Sequence, residues 1–270
     1  MPTKTVVFIH GNFLSYNSWA PWIERYTAKG YRCLAIPYPG RDKPVDELRA
    51  EHPDPRLGEL TLEQVIDLHV RTIEGLDEPP ILIGHSFGGL LTQLMLNRGL
   101  GAAGVAIDSA PPQGILTTEP SFLRSAWPLL NPFTPASRPY LMPFSHFRYT
   151  FVNGMPLEEQ RRAYDENVVP ESLRLVRGGL GASARIDFKK AHAPLLFIAG
   201  ENDHIIPAAL NRANFERYKL SASRVEFIEF PGRNHFGVAA PGWTEITDYA
   251  LDWAVESIAA EEVVQAAENI

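Results

Sequence analysis

Cysteine is nearly missing from this chain of 270 residues, where Cys33 stands alone. A lone thiol excludes an internal disulfide and suits a reducing compartment; its plain role is filler in a strand. Long hydrophobic runs are missing as well, and no segment offers the roughly 20 apolar residues of a bilayer-crossing helix. Excess positive charge is absent too: 25 Lys and Arg face 32 Asp and Glu, a formal net charge of -7, with no basic stripe. That balance argues against nucleic acid or an anionic membrane as a partner. Neither internal repeats nor low-complexity tracts occur. Met1 to Lys4 lead straight into a strand-like run, which leaves no room for a signal peptide. The expectation from these absences is a soluble cytoplasmic protein. What is present, 45% hydrophobic and 21% charged residues, is ordinary for a globular chain. The length suits one large α/β domain carrying an insertion.

Taken in order, Thr5 to Ile9 is β-branched and apolar, as expected of a strand buried on both faces. It ends in a His10-Gly11-Asn12 turn. Ser18 is placed to cap a helix bearing Trp19, Trp22, Ile23 and Tyr26, which Gly30 closes. Tyr31 to Ile36 reads as the next strand, and residues 41–60 as a polar, proline-bearing loop. Thr61-Leu62-Glu63-Gln64 is a capping box that opens a helix through Ile73. Ile81 to Ile83 and Gly104 to Ile107 are strands flanking a further helix, and strand–helix alternation of this kind predicts a mostly parallel sheet covered on both sides. The pattern then breaks. Residues 111–190 hold many prolines and aromatics, with helices expected at 157–167 and from Pro170 onward. Alternation resumes with Leu195 to Ala199, a helix near 207–218, the strand Val225 to Phe230, and a last helix from Trp243 to about Ile258. The acidic tail, 259–270, is expected to fray. The division this implies is a core of 1–110 and 191–270 with a helical cap of 111–190, whose aromatics pack the cap and in part face the gap below it.

The stretch on which function turns is Gly84-His85-Ser86-Phe87-Gly88-Gly89, set between an apolar strand and an apolar helix. Glycines on both sides let the backbone turn sharply and let neighbouring chain pass. Ser86 then stands where a strand ends and a helix begins, among free N–H groups that favour a developing negative charge. In that setting G-x-S-x-G marks a nucleophile rather than a glycine-rich turn with an incidental serine.

A serine nucleophile needs a base, and the base needs orienting. Of the eight histidines, His235 is best placed, just after the last strand. His10 and His85 belong to turns, His52 and His69 precede the serine, and His146 and His192 lie in or beside the insertion. His204 adjoins the proposed acid, too close along the chain to be oriented by it. For the acid, Asp203 follows the Leu195 strand and gives the order Ser, Asp, His; Asp108 is the other candidate, with Glu201 behind both. The oxyanion donors expected are the backbone N–H groups of Phe87 and Asn12, with Phe13 as a rival to Asn12.

Together these landmarks resemble the α/β-hydrolase family over nearly the whole chain. The resemblance implies a doubly wound, mostly parallel sheet with an inserted helical cap; the sequence departs from the family pattern in showing no N-terminal hairpin ahead of the strand that leads to the oxyanion loop. It implies acyl transfer from a small-molecule ester to water, with no metal and no organic cofactor. The small plant methylesterases and hydroxynitrile lyases begin similarly, but those lyases carry a lysine after the catalytic histidine, where Phe236 stands here. The aromatic insertion points to an apolar or aromatic ester. Other reactions of the same triad (carbon–carbon bond hydrolysis, perhydrolysis, cofactor-free oxygenation) and a non-catalytic ligand receptor are the alternatives.

Overall fold

The computed structural model describes residues 3–268. Its strands are β1 (Thr5–Ile9), β2 (Arg32–Ala35), β3 (Ile81–His85) and β4 (Ala103–Ile107), a short ribbon of β5 (Pro139–Tyr140) and β6 (Glu171–Ser172), then β7 (Leu195–Gly200) and β8 (Val225–Phe230). Helices α1 (Ala20–Ala28), α2 (Val45–Ala50), α3 (Pro55–Gly58), α4 (Leu62–Glu74), α5 (Phe87–Asn97), α6 (Pro120–Leu130), α7 (Phe144–Thr150), α8 (Leu157–Asn167), α9 (Leu173–Gly178), α10 (Ala208–Arg217) and α11 (Trp243–Glu268) fill the connections.

Six strands pair in parallel in the order β2-β1-β3-β4-β7-β8. Because side chains alternate along a strand, each buried strand feeds two cores. Val7 and Ile9 face one core with residues of α4, α5 and α10. Val6 and Phe8 face the other with Trp19, Trp22, Tyr26 and the inner side of α11. This is a sheet wound on both faces. The order reverses around β1 and β3, and at such a switch point the loops beyond the carboxyl ends of the strands part to leave a crevice.

Local chemistry accounts for the departures from the sequence reading. Ser18 caps nothing; Ser15 accepts from Asn17 N at the head of a short 3-10 turn, Tyr16–Trp19, that runs into α1. The stretch 41–60 is not plain loop, since Leu48 is buried from α2 and Asp54 caps α3 ahead of Pro55. Pro170 precedes β6 instead of opening a helix, and α9 starts after Ser172, whose hydroxyl accepts from Leu175 N. The last helix runs on to Glu268, as its Ala- and Glu-rich sequence favours; Asn269 and Ile270, the end of the tail expected to fray, lie outside the described residues. The Thr61–Gln64 capping box forms as expected, and α8 spans the expected 157–167. Among the described residues no helix is long and apolar enough to cross a membrane.

Candidate active site

Ser86 sits between β3 and α5 with φ 58°, a conformation costly for a residue with a Cβ. What holds it there is close packing on every side. A Cβ on Gly88 would lie 2.0 Å from the carbonyl oxygen of Ile9, and one on Gly84 would lie 2.0 Å from that of Gly88. Gly11 has its own constraint, since a Cβ there would come within 2.8 Å of Ser86 Cβ. The serine N–H donates to Ile107 O at 2.8 Å, and its carbonyl accepts from Gly89 and Ala110. Small residues at 11, 84 and 88 thus let three loops converge on one hydroxyl.

His235 follows β8 and is fully buried. Its Nε2 lies 2.9 Å from Ser86 Oγ and its Nδ1 2.5 Å from Asp203 Oδ2. Asp203 follows β7 and is aimed by two backbone donors, Ile205 N and Ile206 N, each 2.8 Å from Oδ1. The carboxylate can only accept from Nδ1, so the Nε2 lone pair is left for the serine proton. Burial lowers the His235 pKa to about 3 and pushes the Asp203 carboxyl well up, against the pull of the Ile206 and Ile205 N–H groups. The imidazole is therefore neutral at rest, the state a base requires.

Asp108, the alternative acid, is also buried at the end of β4, but its Oδ1 accepts from Gly200 N at 2.7 Å. Burial, with the Asp203 charge nearby, holds its carboxyl well above the usual range. His85, read from sequence only as a turn residue, also braces the site. Its Nε2–H donates to the carbonyl of His235 at 2.8 Å and steadies that loop. Ligating atoms of His85, Asp108 and His235 lie within 4.8 Å of one another. Of the three, His235 already spends both ring nitrogens, on Ser86 and Asp203. Glu201 accepts from Gly232 N at the exposed edge. Five of the remaining histidines are occupied elsewhere, with ring contacts to Gly11, Val65, Ser125, Ala193 and Tyr149 carbonyls from His10, His69, His146, His192 and His204, while His52 Nδ1 is buried without a partner among the described residues.

Asn12, Phe13, Ser86 and Phe87 share the wall of one cavity of about 110 Å³. Phe87 opens α5, and an N–H at the first helical position has no intrahelical acceptor. Asn12 N donates to no other described residue, whereas Phe13 N donates to Glu171 Oε2 at 3.4 Å. The Asn12 side chain does not brace the loop through its oxygen, which is buried without a partner among the described residues. Phe122, Ala126, Leu129, Leu130, Val176 and Leu180 from the 111–190 segment line the same cavity.

A serine strained toward a cavity after a strand, a buried neutral imidazole on it and a carboxylate behind that imidazole form one arrangement at the edge of a six-stranded parallel sheet. The sequence model described as "Alpha/beta hydrolase family" matches residues 6–245. The chain belongs to this family. No curated protein matches the sequence. Solved structures similar to this α/β hydrolase include polyneuridine aldehyde esterase, at 17% identity and a TM-score of 0.64, covering 93% of this chain and 99% of that one. The monoacylglycerol lipase of Paleococcus ferrophilus is similar at 20% identity and a TM-score of 0.64, covering 95% and 96%. An extracellular α/β-hydrolase from a Paenibacillus species, said to share structural and functional homology with tobacco salicylic acid binding protein 2, is similar at 20% identity and a TM-score of 0.68, covering 93% and 98%. At these identities the likeness is one of fold.

Proposed function

We propose that this α/β hydrolase is a serine carboxylesterase acting on small apolar or aromatic esters through an acyl-enzyme. The observation that carries the reading is the unbroken hydrogen-bonded line from Asp203 through His235 to Ser86 Oγ. As Ser86 Oγ bonds to the ester carbonyl carbon, its proton passes to His235 Nε2. Asp203 keeps the imidazole in the useful tautomer and stabilises the cation that forms. The N–H groups of Asn12 and Phe87 receive the oxyanion, each worth about 10²–10³ in turnover by the usual measure of such donors. The tetrahedral adduct collapses, the C–O bond to the alcohol breaks, and His235 returns the proton to the leaving oxygen. Water attacks the acyl-enzyme by the same route in reverse. No step requires a metal or cofactor.

The apolar lining supports an uncharged acyl or alkyl group as ligand, and its origin supports treating 111–190 as a cap over a core of 1–110 and 191–270. The single half-buried Cys33 supports a reducing, cytoplasmic setting. A series of p-nitrophenyl esters from acetate to octanoate, with charged acyl groups as controls, tests the reading. Turnover of the uncharged members by the wild type and its loss in Ser86→Ala are expected; an unchanged rate in that variant would overturn the proposal. Stoichiometric labelling of Ser86 by a fluorophosphonate separates an enzyme from a receptor that binds without chemistry.

A further inference from the structure

The loop after β1 is held from an unexpected quarter. Phe13 adopts φ 68°, and it and the two residues after it are tied to the segment that precedes β6. Leu14 forms an antiparallel bridge with Val168, Val169 N donates to Phe13 O at 2.9 Å, and Ser15 N donates to Asn167 O at 3.1 Å. The remaining group, Phe13 N–H, meets the Glu171 carboxylate. Glu171 is wholly buried and is matched by Arg41, itself 3% exposed, through Nη1 at 2.8 Å. It also accepts from its own neighbour, Ser172 N.

A buried ion pair is a poor device for stability, because an apolar pair of similar volume does as well or better. Here the pair leaves Arg41 Nε and Nη2 without partners among the described residues, which adds to the cost. What an apolar pair cannot supply is an acceptor for Phe13 N. Without one, two successive N–H groups in a loop of positive φ would compete for the same oxyanion, and neither would be fixed. Without Arg41, a bare carboxylate behind the loop would oppose the negative charge developing in front of it.

We propose that Glu171 is a positioning residue for the oxyanion: it engages the Phe13 N–H so that the loop presents the Asn12 N–H to the reacting carbonyl, while Arg41 cancels its charge. This rests on the reading of Ser86 as the nucleophile. Two variants test it. Arg41→Leu paired with Glu171→Leu removes the acceptor and both charges together, and Glu171→Asp keeps the charge but withdraws the carboxylate by one methylene from Phe13. In whichever of them keeps the native circular dichroism spectrum, kcat on p-nitrophenyl butyrate should fall about tenfold or more with KM within about twofold, as for an interaction made in the transition state. Affinity for an alkylboronic acid, whose tetrahedral adduct carries the oxyanion charge, should fall in step, and Glu171→Gln, which retains an acceptor, should recover most of the loss. Folded variants with wild-type kcat and boronate affinity would overturn the assignment, as would a raised KM at constant kcat. A wild-type Ser86 that resists phosphonylation would sink the esterase reading and this proposal together, whereas labelling at the wild-type rate in a kinetically unaltered variant sinks this one alone.

Discussion

Both ring nitrogens of His235 are committed, one to Ser86 and one to Asp203, and the ring has no exposed surface. Since burial favours the neutral imidazole, the acid limb of kcat/KM should fall below pH 6.5, the ordinary histidine value. The sign follows from the role. Activity requires the unprotonated ring, so it is retained as pH drops through 6.5 and lost only nearer the depressed value; an acid limb at or above 6.5 in a pH–rate profile would contradict this. The two aspartates divide similarly. Asp203→Asn should lower kcat by about 10⁴, because the amide stabilises the wrong tautomer. Asp108→Asn, whose wild-type carboxyl bonds Gly200 N, should cost far less, and steady-state kinetics on the pair decides which carboxylate orients the base.

At the scale of elements, α9 and α5 meet where Gly179, just past α9, faces the cavity. A Cβ at that position would stand 3.1 Å from Phe87 Cε2 and 3.7 Å from Leu90 Cδ2, close but able to give. Gly179→Val should therefore fold yet shorten the cavity, lowering kcat/KM for octanoate esters by about tenfold or more relative to acetate, given the ~1–3 kcal/mol per methylene that a tight apolar pocket discriminates. A chain-length series measures it. A harsher outcome is expected of Gly88→Ala, where the new methyl meets the Ile9 backbone. Overpacking of about 3 kcal/mol would lower Tm by roughly 6–10 °C in a chain of this size.

These elements also divide what the sequence discloses from what it hides. The Ser86 turn, the β1 strand and the Thr61 capping box are written in residues a few positions apart, so their chemistry is local and readable. His235 and Asp203 are legible because loops after parallel strands gather at one sheet edge, an inference from topology that needs no knowledge of contacts. The two helices within 41–60 and the β5–β6 ribbon are not, because their few apolar residues bury against distant chain. Arg41 and Glu171 leave no trace at all, since nothing in either neighbourhood announces a partner across 130 positions.

Over the whole molecule, burial keeps several interior imidazoles neutral. Burial lowers His10 to about 3, His69 to about 4 and His235 to about 3, and pushes His85 well down. In the unfolded chain each returns to about 6.5 and takes up a proton below it. Folding stability from these groups is therefore complete above pH 6.5 and is lost as pH falls toward the depressed values, at up to about 1.4 kcal/mol per pH unit for each. Asp108 and Asp203, held above their unfolded values, pull the other way, but the four imidazoles outnumber them. Urea midpoints should fall between pH 6.5 and pH 5; a flat or rising profile across that interval would contradict the dominance of the buried rings.

The bridge between Leu14 and Val168 fastens one margin of the 111–190 segment to the loop after β1. Along that margin Val169 N donates to Phe13 O and Ser15 N to Asn167 O, so residues 167–169 and the loop beside Ser86 hold one another in register. At the opposite margin α6 turns Leu123 and Trp127 outward, and Ser125 Oγ ties it to the loop after β7 by donating to His204 O at 3.1 Å. Both edges of the segment are thus fastened to the sheet's loops, one by main-chain bonds and the other by a serine hydroxyl, so a change at either edge is felt at the cavity between them.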